Sequence, residues 1–218
     1  MRRIGVVEFP GSLDADVVAR AVRLAGASPV PLTPADHGLA GVEAVILPDA
    51  VTDVFEADEP LLAALAERAE QGLPVLGIGR GFAALCAAGL LPGRLAGNDS
   101  AGLVCRDQAV RVESRDTVWT CALTEGDRAT LVVRGAAGRY VADDATLQAL
   151  EDGDQVVLRY VDGNPNGSAH DIAALTNASG TVVGTVPLPE HSTDALTGPS
   201  EDGRLVFASV VAFLTAAD

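Results

Sequence analysis

The chain has 218 residues, enough for one domain with a sizeable core, since 48% of them are hydrophobic. The formal charge is −15 and every one of the 15 basic residues is Arg; such a negative surface argues against binding phosphate backbones. Only 4% of residues are aromatic, so the core is mostly Ala, Val and Leu, and the three cysteines show neither metal-ligand spacing nor a disulfide framework.

Ile4–Val7 is an apolar run that reads as a buried strand, ended by Phe9-Pro10-Gly11. The start of the chain has two arginines but only this short run, interrupted by Glu8, and does not read as a signal peptide. Ser12 can cap the next helix, which carries Asp14 and Asp16 in its first turn, an apolar face through Val17, Val18, Ala21, Val22 and Ala25, and a stop at Gly26. Pro29–Leu32 and Ala44–Leu47 are the next strands. Asp58-Glu59-Pro60 opens a helix that Gly72 ends, and the acidic run at 56–59 reads as its solvated start. Val75–Ile78 is a fully apolar strand that turns at Gly79-Arg80-Gly81 into the helix Phe82–Ala88. Leu103–Val112, Val118–Leu123 and Leu131–Val133 read as strands, Thr146–Leu150 as a short helix, and Val156–Val161, Ile172–Leu175 and Thr181–Val186 as three further strands. Residues 192–203 read as an exposed loop. The last helix starts near Gly203, with Leu205, Val206, Val210, Phe213 and Leu214 facing inward. The longest uncharged stretch, between Asp171 and Glu190, is broken by glycines and two prolines and is no spanning helix. Early alternation of strand and helix means an α/β layer with a parallel sheet. The expectation is a single domain over residues 1–218, cytoplasmic, without nucleic acid, membrane, metal or cofactor.

In such a sheet, ligands sit at the carboxyl ends of strands. Three ends stand out: Pro48-Asp49-Ala50, Gly77-Ile78-Gly79-Arg80-Gly81, and Val186-Pro187-Leu188-Pro189-Glu190. The middle one has the shape of a nucleophile elbow, which lifts one side chain over a helix N-terminus where a thiolate or oxyanion is stabilised. The elbow position is Gly79, which has no side chain.

Several segments point to a family when taken in order. They are Phe9-Pro10-Gly11-Ser12 with Asp14 and Asp16, Gly81-Phe82 with Gly89-Leu90-Leu91-Pro92-Gly93, Cys105-Arg106-Asp107 with Val110–Glu113, Gly138–Asp143, and Asn164-Pro165-Asn166-Gly167-Ser168. The chain resembles the class I glutamine amidotransferases and, within them, the glutaminase subunits of phosphoribosylformylglycinamidine synthase. The resemblance runs nearly end to end. It implies a flavodoxin-like α/β fold, a mixed, mostly parallel sheet flanked by helices. It also implies a large ATP-dependent synthetase subunit as partner, with Arg106, Asp107, Asn164, Asn166 and Ser168 as partner contacts.

The resemblance breaks where its chemistry lies. Gly79 stands at the place of the family's nucleophilic Cys and Leu188 at that of its catalytic His; only the acidic Glu190 matches. The oxyanion-side Pro-Gly-Gly corresponds to Pro48-Asp49-Ala50, the family's residue after the nucleophile to Arg80, and a His-Gly-Glu-Gly motif to Gly135–Gly138. A glycine cannot attack and a leucine cannot accept a proton. The expectation is therefore a non-catalytic glutaminase-like subunit that supports a synthetase, in purine or purine-derived metabolism, with ammonia supplied otherwise. Two alternatives stay open: an enzyme using Glu190 as base with Arg80 as anion contact, and a small-molecule sensor that does not hydrolyse its ligand. Arg80 either fills the pocket or pairs with Glu190, or is an exposed helix start. Cys86 reads as a small core residue on a face with Phe82, Leu85 and Leu90, Cys105 as shared ancestry, and Cys121 as part of a strand. His37, His170 and His191 read as solvated or structural side chains.

Overall fold

The structure is a computed structural model and describes residues 1–9, 12, 14–36, 38–39, 41–50, 60–99 and 102–216. Its elements begin with β1 (Arg3–Val7), α1 (Asp14–Leu24), β2 (Ser28–Leu32), β3 (Ala44–Leu47), α2 (Pro60–Glu70), β4 (Val75–Ile78) and α3 (Arg80–Ala87). They continue with β5 (Arg94–Ala96), β6 (Val104–Val112), β7 (Arg128–Gly135), β8 (Arg139–Val141), α4 (Asp144–Asp152), β9 (Val156–Tyr160), β10 (Ile172–Thr176), β11 (Val182–Thr185) and α5 (Arg204–Ala216).

Nine strands form one sheet in the order β2-β1-β3-β4-β11-β10-β9-β6-β7. The half from β2 to β11 is parallel, and the half from β11 to β7 is antiparallel. The fold class expected from the sequence, a mixed sheet flanked by helices, is the one found. Strands β1, β3 and β4 are buried on both faces, which is why they read as unbroken apolar runs instead of alternating ones. Strand β2 carries Pro29 and Pro31. It tolerates them because it is the edge strand and pairs only with β1.

The sheet divides the core. On one face α1 and α5 pack Val18, Val22, Phe207 and Val210 against Ile4, Ile46, Leu76 and Ile78. On the other, α2, α3 and α4 pack Leu61, Leu65, Phe82, Leu85 and Leu150 against Val45, Leu47 and Val75. Helix α3 lies close to the sheet because Gly77 and Gly184 face it. A Cβ on Gly77 would sit 2.6 Å from the Gly81 carbonyl oxygen, and one on Gly184 would run into the Phe82 ring. The antiparallel half has its own core of Val110, Leu131, Val157, Tyr160 and Ala173. This half turns back on the sheet: Leu188, just past β11, donates its N–H to the Val132 carbonyl of β7 at 2.8 Å.

Four expectations need correction. The segment 118–123 is a string of turns and not a strand. The Thr117 hydroxyl accepts the Trp119 N–H at 3.1 Å and pairs with the Thr120 hydroxyl at 2.7 Å, a local pattern that competes with strand pairing. Trp119 is fully buried there as an anchor under α5. Cys121 accordingly lies in a turn, half-buried against Ser209. In α5, Leu205 and Phe213 are each 41% exposed; the buried stripe is Val206, Phe207, Val210 and Leu214. The loop 192–203 is exposed only beyond its start, since Ser192 and Thr193 are buried under it. The expected solvated run at 56–59 and His37 lie outside the described residues.

Candidate functional site

The carboxyl ends of β3, β4 and β11 do come together. Strand β4 ends in a sharp turn at Gly79, with φ 53° and ψ −111°, a left-handed backbone that glycine adopts without penalty. The Arg80 N–H, at the N-terminus of α3, donates to Asp49 Oδ1 at 2.9 Å. Asp49 is fixed from below as well: the Ser12 hydroxyl donates to its carbonyl oxygen at 2.9 Å. Ser12 thus ties the entry of α1 to the end of β3, and its oxygen also accepts the Asp14 N–H at 3.3 Å.

Two residues that lie far apart in sequence complete the cluster. Arg134, at the end of β7, reaches Asp14 Oδ2 at 2.6 Å and Asp49 Oδ2 at 3.6 Å. His191 Nε2 stands 3.2 Å from Asp14 Oδ1. Burial opposes charge on Asp14, but the His191 hydrogen bond and the Arg134 guanidinium outweigh it and hold its carboxyl below the usual range. Asp49 goes the other way. Burial dominates, Asp14 adds repulsion, and its carboxyl is raised despite the Arg80 N–H.

Glu190 is the most deeply placed of the acids. It sits in a short 3-10 turn, Pro189–His191, and is 2% exposed. Neither carboxylate oxygen has a hydrogen-bond partner among the described residues. Burial, with added repulsion from Asp14 and Asp49, pushes it up to about 8. The reading in which Arg80 pairs with Glu190 is therefore not met, and the backbone amide of Arg80 engages Asp49. Leu188 is a core side chain, fully buried between the sheet and α5, and Ala50 is buried with the α2 and α3 core. Among the described residues no cluster of His, Cys, Asp or Glu could hold a metal ion.

The expected partner contacts divide into two groups. Arg106 and Asp107 are exposed on β6. Asn166 and Ser168 are buried and turned inward, which corrects their reading as surface contacts. The Asn164 side-chain oxygen gathers the N–H groups of Asn166, Gly167 and Ser168, while Asn166 Nδ2 donates to the Gly138 carbonyl at 2.7 Å and the Ser168 hydroxyl accepts the Tyr140 N–H at 3.0 Å. These side chains build the loop that seats β8. Tyr140, centred in β8, stacks on Phe82 of α3 with ring centroids 6.0 Å apart. Cys86 lies half-buried against that core, its thiol pushed up to about 12 by burial, as a small core residue would be. Cys105 is exposed. His170 pairs with Glu151 at 3.0 Å and His191 with Asp14 at 3.2 Å. Of the site, sequence reasoning missed Arg134. It ends an apolar strand with no local signal, and its carboxylate partner lies 120 residues away.

The comparisons with known proteins settle the family. A family model described as a CobB/CobQ-like glutamine amidotransferase domain matches residues 49–209. The chain belongs to the glutamine amidotransferase family. It is 51% identical to the phosphoribosylformylglycinamidine synthase subunit PurQ of Frankia casuarinae, covering 98% of this chain and 95% of that one. The protein of the same name from Nocardia farcinica is 47% identical, with 99% of each chain covered. Among solved structures, a chain from the PurLQS structure of Thermotoga maritima has a TM-score of 0.87 at 34% identity, over 98% of this chain and 99% of that one. These matches correct the expectation of a non-catalytic, degenerate subunit. The relatives cover nearly the whole of both chains and carry the name of a synthase subunit, and none of those names marks an inactive form. Gly79 and Leu188 remain a fact about two positions; they do not assign the chain a class apart from its family. Among the described residues no helix is long and apolar enough to cross a membrane.

Proposed function

We propose that this chain is a subunit of phosphoribosylformylglycinamidine synthase, acting in purine biosynthesis as a single cytoplasmic domain in complex with a large ATP-dependent synthetase subunit. The observation that carries this reading is near-complete, two-way coverage by relatives of that name at 51% and 47% identity. The structural likeness to a chain of a PurLQS assembly supports it independently. Arg106 and Asp107, both exposed near the start of β6, are proposed contacts to the large subunit. Asn164, Asn166 and Ser168 contribute by holding their loop and β8 in shape.

The test is reconstitution with the large subunit from the same source, with glutamine and ammonium both supplied. Co-elution in a defined ratio and faster ATP-dependent product formation than the large subunit achieves alone are expected. Separate elution with an unchanged rate overturns the reading.

A further inference from the structure

The elbow does present a group at the N-terminus of α3, although the elbow residue has no side chain. A Cβ built on Gly79 would collide with Asp49 Oδ1 and lie 2.6 Å from Asp49 Cγ. The space above the elbow is thus filled by a carboxylate arriving from the end of β3. That carboxylate is held on two sides, by the Arg80 N–H at 2.9 Å and by Arg134 at 3.6 Å. Its own backbone is anchored by Ser12.

We infer that Asp49 is a built-in occupant of the elbow. Its carboxylate takes both the volume and the helix N–H that an elbow side chain would use, so that a side chain at position 79 requires the one at position 49 to be given up. Three observations converge on this: the collision at position 79, the N–H of Arg80 spent on Asp49, and the Arg134 contact that holds the carboxylate over the turn. The inference concerns these two positions alone and does not depend on the subunit reading.

Chemistry gives the pair a distinctive readout. A thiol placed at a helix N-terminus ionises readily and alkylates fast. A carboxylate in the same space opposes that ionisation and crowds the sulfur. Gly79→Cys should therefore be made alone and in an Asp49→Gly background. The positive φ at position 79 costs the same in both, so a double-mutant cycle removes it and leaves the interaction between the two sites. The measurements are the thermal midpoint and the rate of alkylation of the introduced thiol by iodoacetamide at about pH 7, followed on the peptide bearing position 79.

Gly79→Cys alone is expected to lower the midpoint sharply and to react slowly. In the Asp49→Gly background the midpoint loss should shrink to roughly half or less, and alkylation should be faster by on the order of tenfold. Additive midpoint shifts with equal alkylation rates overturn the inference. If Gly79→Cys fails to fold alone but folds with Asp49→Gly, that supports it. Failure in both backgrounds, with Asp49→Gly itself folded, overturns it, because relief of the collision would then have had no effect.

Discussion

Glu190 carries, at the level of a single residue, a large pH signal among the described residues. Its carboxyl is raised from about 4.5 to about 8 by burial among other acids. The native state therefore holds a proton that the unfolded chain releases above the ordinary carboxyl range. The sign follows from that difference. Stability is unaffected below about 4.5, falls as pH rises from there toward 8, and levels off above it. Glu190→Gln keeps the shape and removes the titration. Its denaturation midpoint should overtake that of the native sequence as pH rises from about 5 to about 9, by an amount worth roughly a few kcal/mol at the alkaline end. Parallel midpoint-against-pH curves for the two proteins would refute it. Asp14 acts oppositely, but its lowered carboxyl makes its effect an acid-range loss that does not overlap this window.

The loop before β10 shows, at the scale of elements, how much a single side chain can organise. Asn164 Oδ1 accepts three backbone N–H groups, and its amide donates to the Ser168 carbonyl at 2.8 Å. Asn164→Ala leaves the Asn166 and Gly167 N–H groups without this acceptor, while the Ser168 N–H keeps Asn166 Oδ1 at 3.1 Å, and should cost about 1–3 kcal/mol, read as a lowered urea midpoint with an unchanged slope. Asn164→Asp keeps the acceptor but sets a carboxylate against Asp171, to which the amide now donates at 2.9 Å, so it should lose less than Asn164→Ala at acid pH, where that repulsion is neutralised. The turn at 117–123 makes the same point for a segment misread as a strand. Ser209, buried in α5, accepts the Ala122 N–H at 3.0 Å and donates to Leu205 at 2.7 Å. Ser209→Ala removes the acceptor of the Ala122 N–H, a half-buried bond, and should lower stability by about 0.5–1.5 kcal/mol by thermal melt. Alternating valine and tryptophan at 118–119 resembled a strand because β propensity reports a half-buried surface and not a hydrogen-bond ladder. Three hydroxyls, at 117, 120 and 209, decided otherwise, and the last comes from a helix far along the chain.

Arg134 ties the two halves of the whole molecule together. It belongs to the antiparallel half yet binds acids on α1 and beyond β3 in the parallel half. Arg134→Ala leaves Asp14, Asp49 and Glu190 together without their nearest guanidinium. Because Arg134 is 36% exposed, solvent screening trims the cost to roughly 1–3 kcal/mol. The loss should be smaller at acid pH, where the carboxyls are neutral, and equal losses at acid and neutral pH would contradict this account. For the proposed partner face, Arg106→Glu should weaken binding to the large subunit about 10-fold or more while leaving the thermal midpoint nearly unchanged, as expected for an exposed charge.

The local elements were legible wherever one physical signal dominated. Unbroken apolar runs marked β1, β3 and β4, and a glycine between β4 and α3 marked the elbow. The spacing of Val18, Ala21 and Val22 marked the buried face of α1. Ordered motifs along the chain carried the family. Position 79 having no side chain, and an acid at 190 following an apolar run, are likewise plain in the sequence. Whether those two positions meet other groups was a matter of tertiary structure. Only the folded sheet brings Asp49 over Gly79, carries Arg134 across 120 residues to Asp14, and seals both oxygens of Glu190 from water. The reason is physical: an apolar period is written along one segment, whereas a contact between side chains on distant strands leaves no local trace in either.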